Sequence, residues 1–157
     1  MAKLRKMLGS ADSPYILSLM KIIETQSKET LTNWSVNYAN EILIPIFERH
    51  CKEEIRPKLA LISINEYIDK KIKLTDLKKV VAECNACAKE LDNNPIAQAA
   101  ARAVGQAAAV IYTPTHSLGL AFYASAAIAY DRVGFNESDE VYDNIAAEVC
   151  SDYENRL

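Results

Sequence analysis

The sequence predicts an all-α protein, and three observations lead to that prediction. Apolar residues recur at helical spacing through most of the 157 residues, and no stretch alternates apolar with polar residues as a β-strand would. The stretch 95–130 is rich in alanine and carries Arg102 as its only charged side chain. Because a helix that is apolar all round is normally buried, we expect a single-domain bundle (1–157) of about seven helices around a buried helical hairpin at about 95–133. Residues 1–12 are expected to be a loosely ordered N-terminal segment.

The first two helices are predicted from start signals followed by apolar stripes. Ser13-Pro14 marks the first start, since proline fits the first turn of a helix. Thr30 or Thr32 is expected to cap the second helix. Pro45 lies late in that helix and should kink it or tighten its last turn, because proline lacks the backbone N–H donor.

Three further helices follow from the same kind of signal. Arg56-Pro57 begins the third helix, and Thr75 is expected to cap the fourth. Either Asn136 or Ser138 should cap the last helix, whose first turn is acidic. Negative charge in a first turn is favoured by the helix dipole, so the pattern indicates a helix start there.

The central hairpin has the clearest boundaries. Asn94-Pro95 is a typical cap and first residue, and the alanines favour a helix up to about Tyr112. A break at 113–115 separates it from a second helix that should run to Val133, with Gly134 at its C-terminus. The short connection predicts that the two helices pack as antiparallel neighbours.

Charge is unevenly distributed, although the net charge is only −3. Residues 136–157 contain seven acidic side chains and one basic side chain, and four of the acids, Glu137, Asp139, Glu140 and Asp143, lie at the start of the last predicted helix. This distribution argues against nucleic acid as a partner, because phosphate binding needs a basic surface. These four residues are the candidate contact surface for a basic protein, and the alternative is an ordinary solvated helix face.

The chain shows no secretory or membrane signal. Its N-terminus is basic but lacks the apolar segment of a signal peptide. Each hairpin helix is shorter than the ~20 strongly apolar residues that a membrane span needs. We therefore expect a cytoplasmic protein that does not enter a membrane.

The four cysteines are expected to be free thiols rather than disulfides, as is usual in the cytoplasm. Cys84 and Cys87 form a CxxC motif, but no second paired motif completes a zinc site. A redox CxxC lies at a helix N-terminus, where the thiol pKa falls, whereas this pair is in the middle of a predicted helix. We expect two buried core cysteines and neither a metal nor another cofactor.

Arg102 is a charge within an apolar helix and must be paired or reach water. Glu83, Glu90 and Asp131 are candidate partners for a buried ion pair. The alternative is a pocket arginine that holds a carboxylate or phosphate group.

His116 is the second polar residue of the hairpin that needs an explanation. It lies in the first turn of its predicted helix, where the dipole disfavours the charged imidazolium. No serine or cysteine nucleophile motif accompanies it, so we predict that the chain is not an enzyme and that His116 is structural. The alternative is a pocket formed by Arg102, Gln106, His116 and Tyr123.

Several segments taken together resemble the Imm-5-like family of small bacterial immunity proteins. They cover about residues 30–130 and are Trp34, the segment LIPIFE at 43–48, Arg56-Pro57, the Ala-Arg-Ala-Val-Gly run at 101–105, and His116 followed by Tyr123-Ala124. The resemblance implies an all-helical domain that binds and neutralises a cognate protein toxin.

Three functions are consistent with the sequence. The first is an immunity-type protein that occludes a toxin through protein–protein contacts, as the resemblance implies. The second is a small-ligand-binding protein or enzyme with a pocket around Arg102 and His116. The third is a helical scaffold that acts as a homo-oligomer.

Overall fold

The computed structural model describes residues 4–157, and helices account for most of them. They are α1 (Pro14–Thr25), α2 (Lys28–Tyr38), a π-helical turn (Ala39–Leu43), α3 (Ile44–His50), α4 (Arg56–Ile68), α5 (Leu74–Glu90), α6 (Pro95–Ala109), α7 (His116–Val133) and α8 (Asp139–Asn155). Because α2, the π turn and α3 run on without a break, the described part of the chain consists of seven helical rods and contains no strand. The predicted all-α bundle is confirmed.

The antiparallel pair α6 and α7 forms the centre of the bundle, as predicted. Eleven of the 15 residues of α6 are buried, most of them alanines. The other helices surround this pair: α2, α3, α4 and α5 pack on α6, whereas α1 and α8 pack on α7. Small side chains let the two central helices approach closely. At Gly119 a Cβ would collide with the amide oxygen of Gln106 on the facing helix.

The boundaries of the central hairpin and the last helix agree with the sequence signals. The Asn94 side chain accepts a hydrogen bond from Ala97 N at 3.4 Å, and Ser138 Oγ accepts one from Val141 N at 3.2 Å. Gly134 ends α7 with a φ of 80°, a conformation that residues with a Cβ rarely adopt. Helix α6 stops at Ala109, three residues before the predicted end, and turns fill the gap.

Two predicted caps are wrong. Helix α2 is capped by Ser27, whose hydroxyl accepts from Thr30 N at 3.1 Å, so the helix begins before Thr30 and Thr32. Helix α5 begins at Leu74, ahead of Thr75, and the Asp76 carboxylate accepts from Lys73 N at 3.0 Å. In both helices a side chain at the observed start accepts a hydrogen bond from a backbone N–H that has no partner within the helix.

Pro45 affects the turn that precedes it. It does not tighten the last turn, because a π-helical turn directly precedes it and Ile44 N donates to Ala39 O, five residues back. Pro45 has no N–H to donate to the carbonyl four residues earlier, and the wider turn shifts the hydrogen-bond register instead. The rod thereby continues to His50.

The N-terminal segment contributes two anchors to the bundle. Leu8 is 1% exposed and its amide donates to Phe122 O on α7 at 3.2 Å. The Tyr130 hydroxyl donates to the carbonyl of Arg5. Residues 1–3 of the segment that we expected to be loosely ordered lie outside the described residues. The described part crosses α7 and reaches the start of α6, where it covers a cavity.

Candidate functional site

The predicted acidic surface lies at the start of α8. Ser138 caps the helix and places Asp139 and Glu140 in its first turn, where the helix dipole stabilises negative charge. Glu137 precedes the cap, and Asp143 lies one turn further along the helix. All four side chains are exposed, so the chain presents four carboxylates at one end of the helix.

These carboxylates differ from two acids further along the same helix. Glu148 and Asp152 form ion pairs at 2.9 Å, with Arg132 and Arg156 respectively. Within residues 4–157, no basic side chain pairs with any of the four acids of the predicted surface. The negative charge at the start of α8 is therefore not compensated by a basic side chain within the described chain.

Asp143 has one neutral partner. Its carboxylate accepts a hydrogen bond from the Tyr15 hydroxyl on α1 at 2.5 Å. Burial and this carboxylate together raise the pKa of Tyr15 to about 12. The contact links α1 to α8 and leaves the charge of Asp143 in place.

Phe135 adds an aromatic side chain to this surface, which the sequence analysis did not identify. It lies in the connection between α7 and α8, two residues before Glu137, and is 44% exposed. Its ring centroid is 5.6 Å from that of Tyr130, which supports one side of the ring. A signal was present in the sequence, since an aromatic residue stands between a C-capping glycine and an N-capping serine. We call Phe135, Glu137, Asp139, Glu140 and Asp143 the α8 surface.

The four residues of the predicted hairpin pocket are spread along the two central helices, with Arg102 and Gln106 on α6 and His116 and Tyr123 on α7. Arg102 and Tyr123 are neighbours, with the guanidinium carbon 5.9 Å from the ring centroid. Gln106 lies one helical turn after Arg102 on α6 and packs against Gly119 of α7. His116 is the first residue of α7. Arg102 lines a cavity that lies under the N-terminal segment.

The expected ion pair of Arg102 is wrong. Within residues 4–157, no carboxylate pairs with it. Two of the candidate partners are engaged elsewhere, since Glu90 pairs with Arg56 at 2.9 Å and Asp131 pairs with Arg49 at 2.6 Å. The described chain therefore leaves the Arg102 guanidinium open to another partner.

His116 is half-buried, and burial lowers its pKa. The ring is therefore biased toward the neutral form, the protonation state expected for a residue in a first helical turn. Its Nδ1 atom is buried and has no hydrogen-bond partner among residues 4–157. No nucleophilic side chain is hydrogen-bonded to the ring in this part of the molecule.

The CxxC cysteines lie in the core, as predicted. Cys84 and Cys87 are buried on the inner face of α5, and all four cysteines are free. Burial raises the pKa of the Cys84 thiol to about 12 and that of Cys87 to about 11, which suppresses the reactive thiolate. In residues 4–157 no group of three histidine, cysteine, aspartate or glutamate side chains is placed to bind a metal ion.

A second feature that the sequence analysis missed is an open groove of about 790 Å³ along the π turn, α3, α7 and α8. Its wall includes Asp131, which accepts hydrogen bonds from Arg49 and His50, each at 2.6 Å. Tyr38 also lines it, and its buried hydroxyl has no partner among the described residues. The hydrogen bonds from Arg49 and His50 to Asp131 join α3 to α7 across the groove.

The fold and these surfaces define an all-α bundle with an uncompensated acidic end and a cavity beneath its N-terminal segment. Its helices, as far as residues 4–157 show, are all too short or too polar to cross a bilayer. A family model described as Imm-5 like putative immunity protein matches residues 21–156. The chain belongs to this family, as the sequence resemblance predicted. No curated protein and no solved structure matches the chain.

Proposed function

We propose that this protein is a non-enzymatic, immunity-type binding protein that neutralises a cognate protein toxin by covering the toxin's active surface. Family membership supports the immunity role. The observation that supports binding through the α8 surface is its charge: four exposed carboxylates face no basic side chain of residues 4–157. Unpaired charge on a surface is available to a partner of opposite charge.

In this proposal the α8 surface contacts a basic patch on the toxin. Complementary charge accelerates association and fixes orientation more than it adds affinity. Phe135 supplies the apolar contact, because partly buried aromatic side chains at the centre of an interface contribute a large share of binding free energy. Nucleic acid is not expected to bind there, since phosphates would be repelled.

The test uses the full chain as bait in an extract of its source cells, together with the variant D139K/E140K. We expect the native chain to capture one protein in stoichiometric amount. That protein should arrest growth when expressed alone and lose this effect when co-expressed with the native chain. The variant should capture at least tenfold less of it.

A matched control separates local from general effects of charge. E29K/E83K makes the same change in net charge, and Glu29 also lies in a first helical turn, that of α2. This control should bind as the native chain does, and circular dichroism should show that both variants are folded. Equal capture by D139K/E140K would rule out the α8 surface. A captured protein without toxicity would rule out the immunity role.

A further inference from the structure

A cavity of about 330 Å³ lies between the N-terminal segment and the start of α6. Its described walls come from three parts of the chain that are distant in sequence, namely residues 4–6, residues 92–102 and Tyr130 of α7. Leu4, Arg5 and Lys6 form one side, and the other side is formed by Asp92, Pro95, Gln98, Ala99, Arg102 and Tyr130. The cavity is separate from the α8 surface and shares none of its residues.

Within residues 4–157, three cationic side chains line this cavity. None of Arg5, Lys6 and Arg102 forms an ion pair with a carboxylate of residues 4–157. Among residues 4–157 the wall includes one acid, Asp92, which accepts a hydrogen bond from Gln98 Nε2 at 3.1 Å. The wall therefore has an excess of positive charge, on a chain whose net charge is negative.

Arg102 is the best placed of the three to hold a ligand. Its Nε atom is buried and has no hydrogen-bond partner among residues 4–157, a situation that costs free energy unless a partner is supplied. The Tyr123 ring, 5.9 Å from the guanidinium carbon, supports the side chain from α7. A guanidinium with free donors binds a carboxylate or phosphate through two parallel hydrogen bonds.

The segment with the other two cations is held against the bundle. The Tyr130 hydroxyl donates to the carbonyl of Arg5, and Leu8 N donates to Phe122 O at 3.2 Å. These bonds hold the backbone of residues 5–8 beside the cavity, whose lining includes Arg5 and Lys6. Between the charged groups the wall is apolar, with Leu4, Pro95 and Ala99, so an entirely inorganic ion would leave much of the volume unused.

We propose that this cavity binds a small organic anion. Its carboxylate or phosphate head group accepts hydrogen bonds from Arg102, and its apolar body lies against Leu4, Pro95 and Ala99. Arg5 and Lys6 balance the remaining negative charge from the opposite wall. This site is independent of the α8 surface, so either proposal can fail without the other.

Calorimetric titration of the full chain tests the proposal with phenyl phosphate and benzoate as probes and the neutral benzyl alcohol as control. We expect saturable binding of at least one anion, weakened by high salt because the attraction is between charges. The probe that binds more tightly identifies the head group. Equal binding of benzyl alcohol, or no saturable binding of either anion, would overturn the proposal.

Variants assign the binding to this cavity. R102Q should weaken the anion at least tenfold, and R102K should weaken it less, because lysine keeps the charge but loses the planar donor pair. R132Q removes an exposed arginine outside the cavity and should leave the affinity unchanged. R5Q/K6Q changes only the N-terminal segment and should also weaken binding, which keeps the test decisive if R102Q does not fold. Unchanged affinity in R5Q/K6Q and in any folded R102Q would overturn the assignment.

Discussion

The indole of Trp34 and the phenol ring of Tyr153 stack with centroids 3.8 Å apart and planes within 10° of each other. Trp34 Nε1 also donates to Tyr153 O at 2.6 Å. The Tyr153 hydroxyl donates to Ser117 O at 3.0 Å and lies 2.9 Å from Ser35 Oγ. One buried residue of α8 thus connects α2 with the start of α7, and it anchors the C-terminal helix that carries the acidic surface.

We predict that Y153F destabilises the fold by about 1–3 kcal/mol, because it leaves the buried Ser117 carbonyl and Ser35 hydroxyl without their partner. Urea unfolding followed by circular dichroism measures the change. Y67F is the matched control, since no hydrogen bond is found for that hydroxyl within residues 4–157 and it lies at the partly exposed end of α4. The control should stay within about 0.5 kcal/mol of the native chain. An unchanged free energy of unfolding in Y153F would mean that the hydrogen bonds of this hydroxyl do not stabilise the fold.

Glu54 should make stability depend on acid pH. Hydrogen bonds from the Arg56 guanidinium, at 2.6 and 2.9 Å, lower the pKa of Glu54 from 4.5 to about 2. A carboxylate with a lowered pKa stabilises the fold above its usual pKa, and this contribution is lost as pH falls toward the folded-state value. We therefore expect E54Q to lose less stability than the native chain as pH falls from about 4.5 to about 2.

The measurement for Glu54 is the urea midpoint across that pH range. E53Q is the control, because Glu53 is exposed and adjacent and has no ion pair in the described chain. E53Q should reproduce the native pH dependence. Other paired acids, such as Asp131, account for the slope that remains in E54Q. Burial raises the pKa of Asp131, but hydrogen bonds from His50 and Arg49 outweigh this effect and lower the pKa overall. Parallel curves for E54Q and the native chain would contradict the prediction.

Local chemistry explains which features of the fold could be predicted from sequence. Asn94, Ser138 and Gly134 act through their own side chains or backbone preferences, so their positions follow from sequence alone. The start of α2 could not be chosen this way, because Ser27 and Thr30 are both residue types that suit a cap. The π turn before Pro45 follows from the missing N–H of that proline, but the sequence pattern did not distinguish a π turn from a kink or a tightened last turn.

The candidate sites show the same difference between features set by neighbouring residues and features set by distant ones. The acidic start of α8 is a run of neighbouring residues, so a sequence pattern was enough to locate it. The state of Arg102 depends on residues far away in the chain: its expected partner Asp131 is bound by Arg49, 82 positions earlier. The cavity forms where residues 4–6 lie against the start of α6. The spacing of apolar residues along the sequence does not predict such a contact.

The cysteines should differ sharply in reactivity. Cys84, Cys87 and Cys150 are buried, and burial raises the pKa of the Cys150 thiol to about 12, as it does for Cys84. Cys51 is partly exposed at the end of α3. We predict that a disulfide reagent labels one thiol rapidly in the native protein and four after denaturation. C51S should abolish the rapid phase, whereas rapid labelling that persists in C51S would contradict the burial of the CxxC pair.

Phe135 should matter more for partner binding than for folding. Its ring is 44% exposed and rests against Tyr130 on one side, so a partner can bury the remainder, and an aromatic side chain buried in an interface commonly contributes about 2 kcal/mol or more. We predict that F135S weakens capture of the partner at least tenfold while circular dichroism shows a folded chain. I62S is the control, because Ile62 is a similarly exposed apolar residue on α4, away from the α8 surface. Equal losses in F135S and I62S would indicate a general effect of surface polarity and would remove Phe135 from the proposed contact.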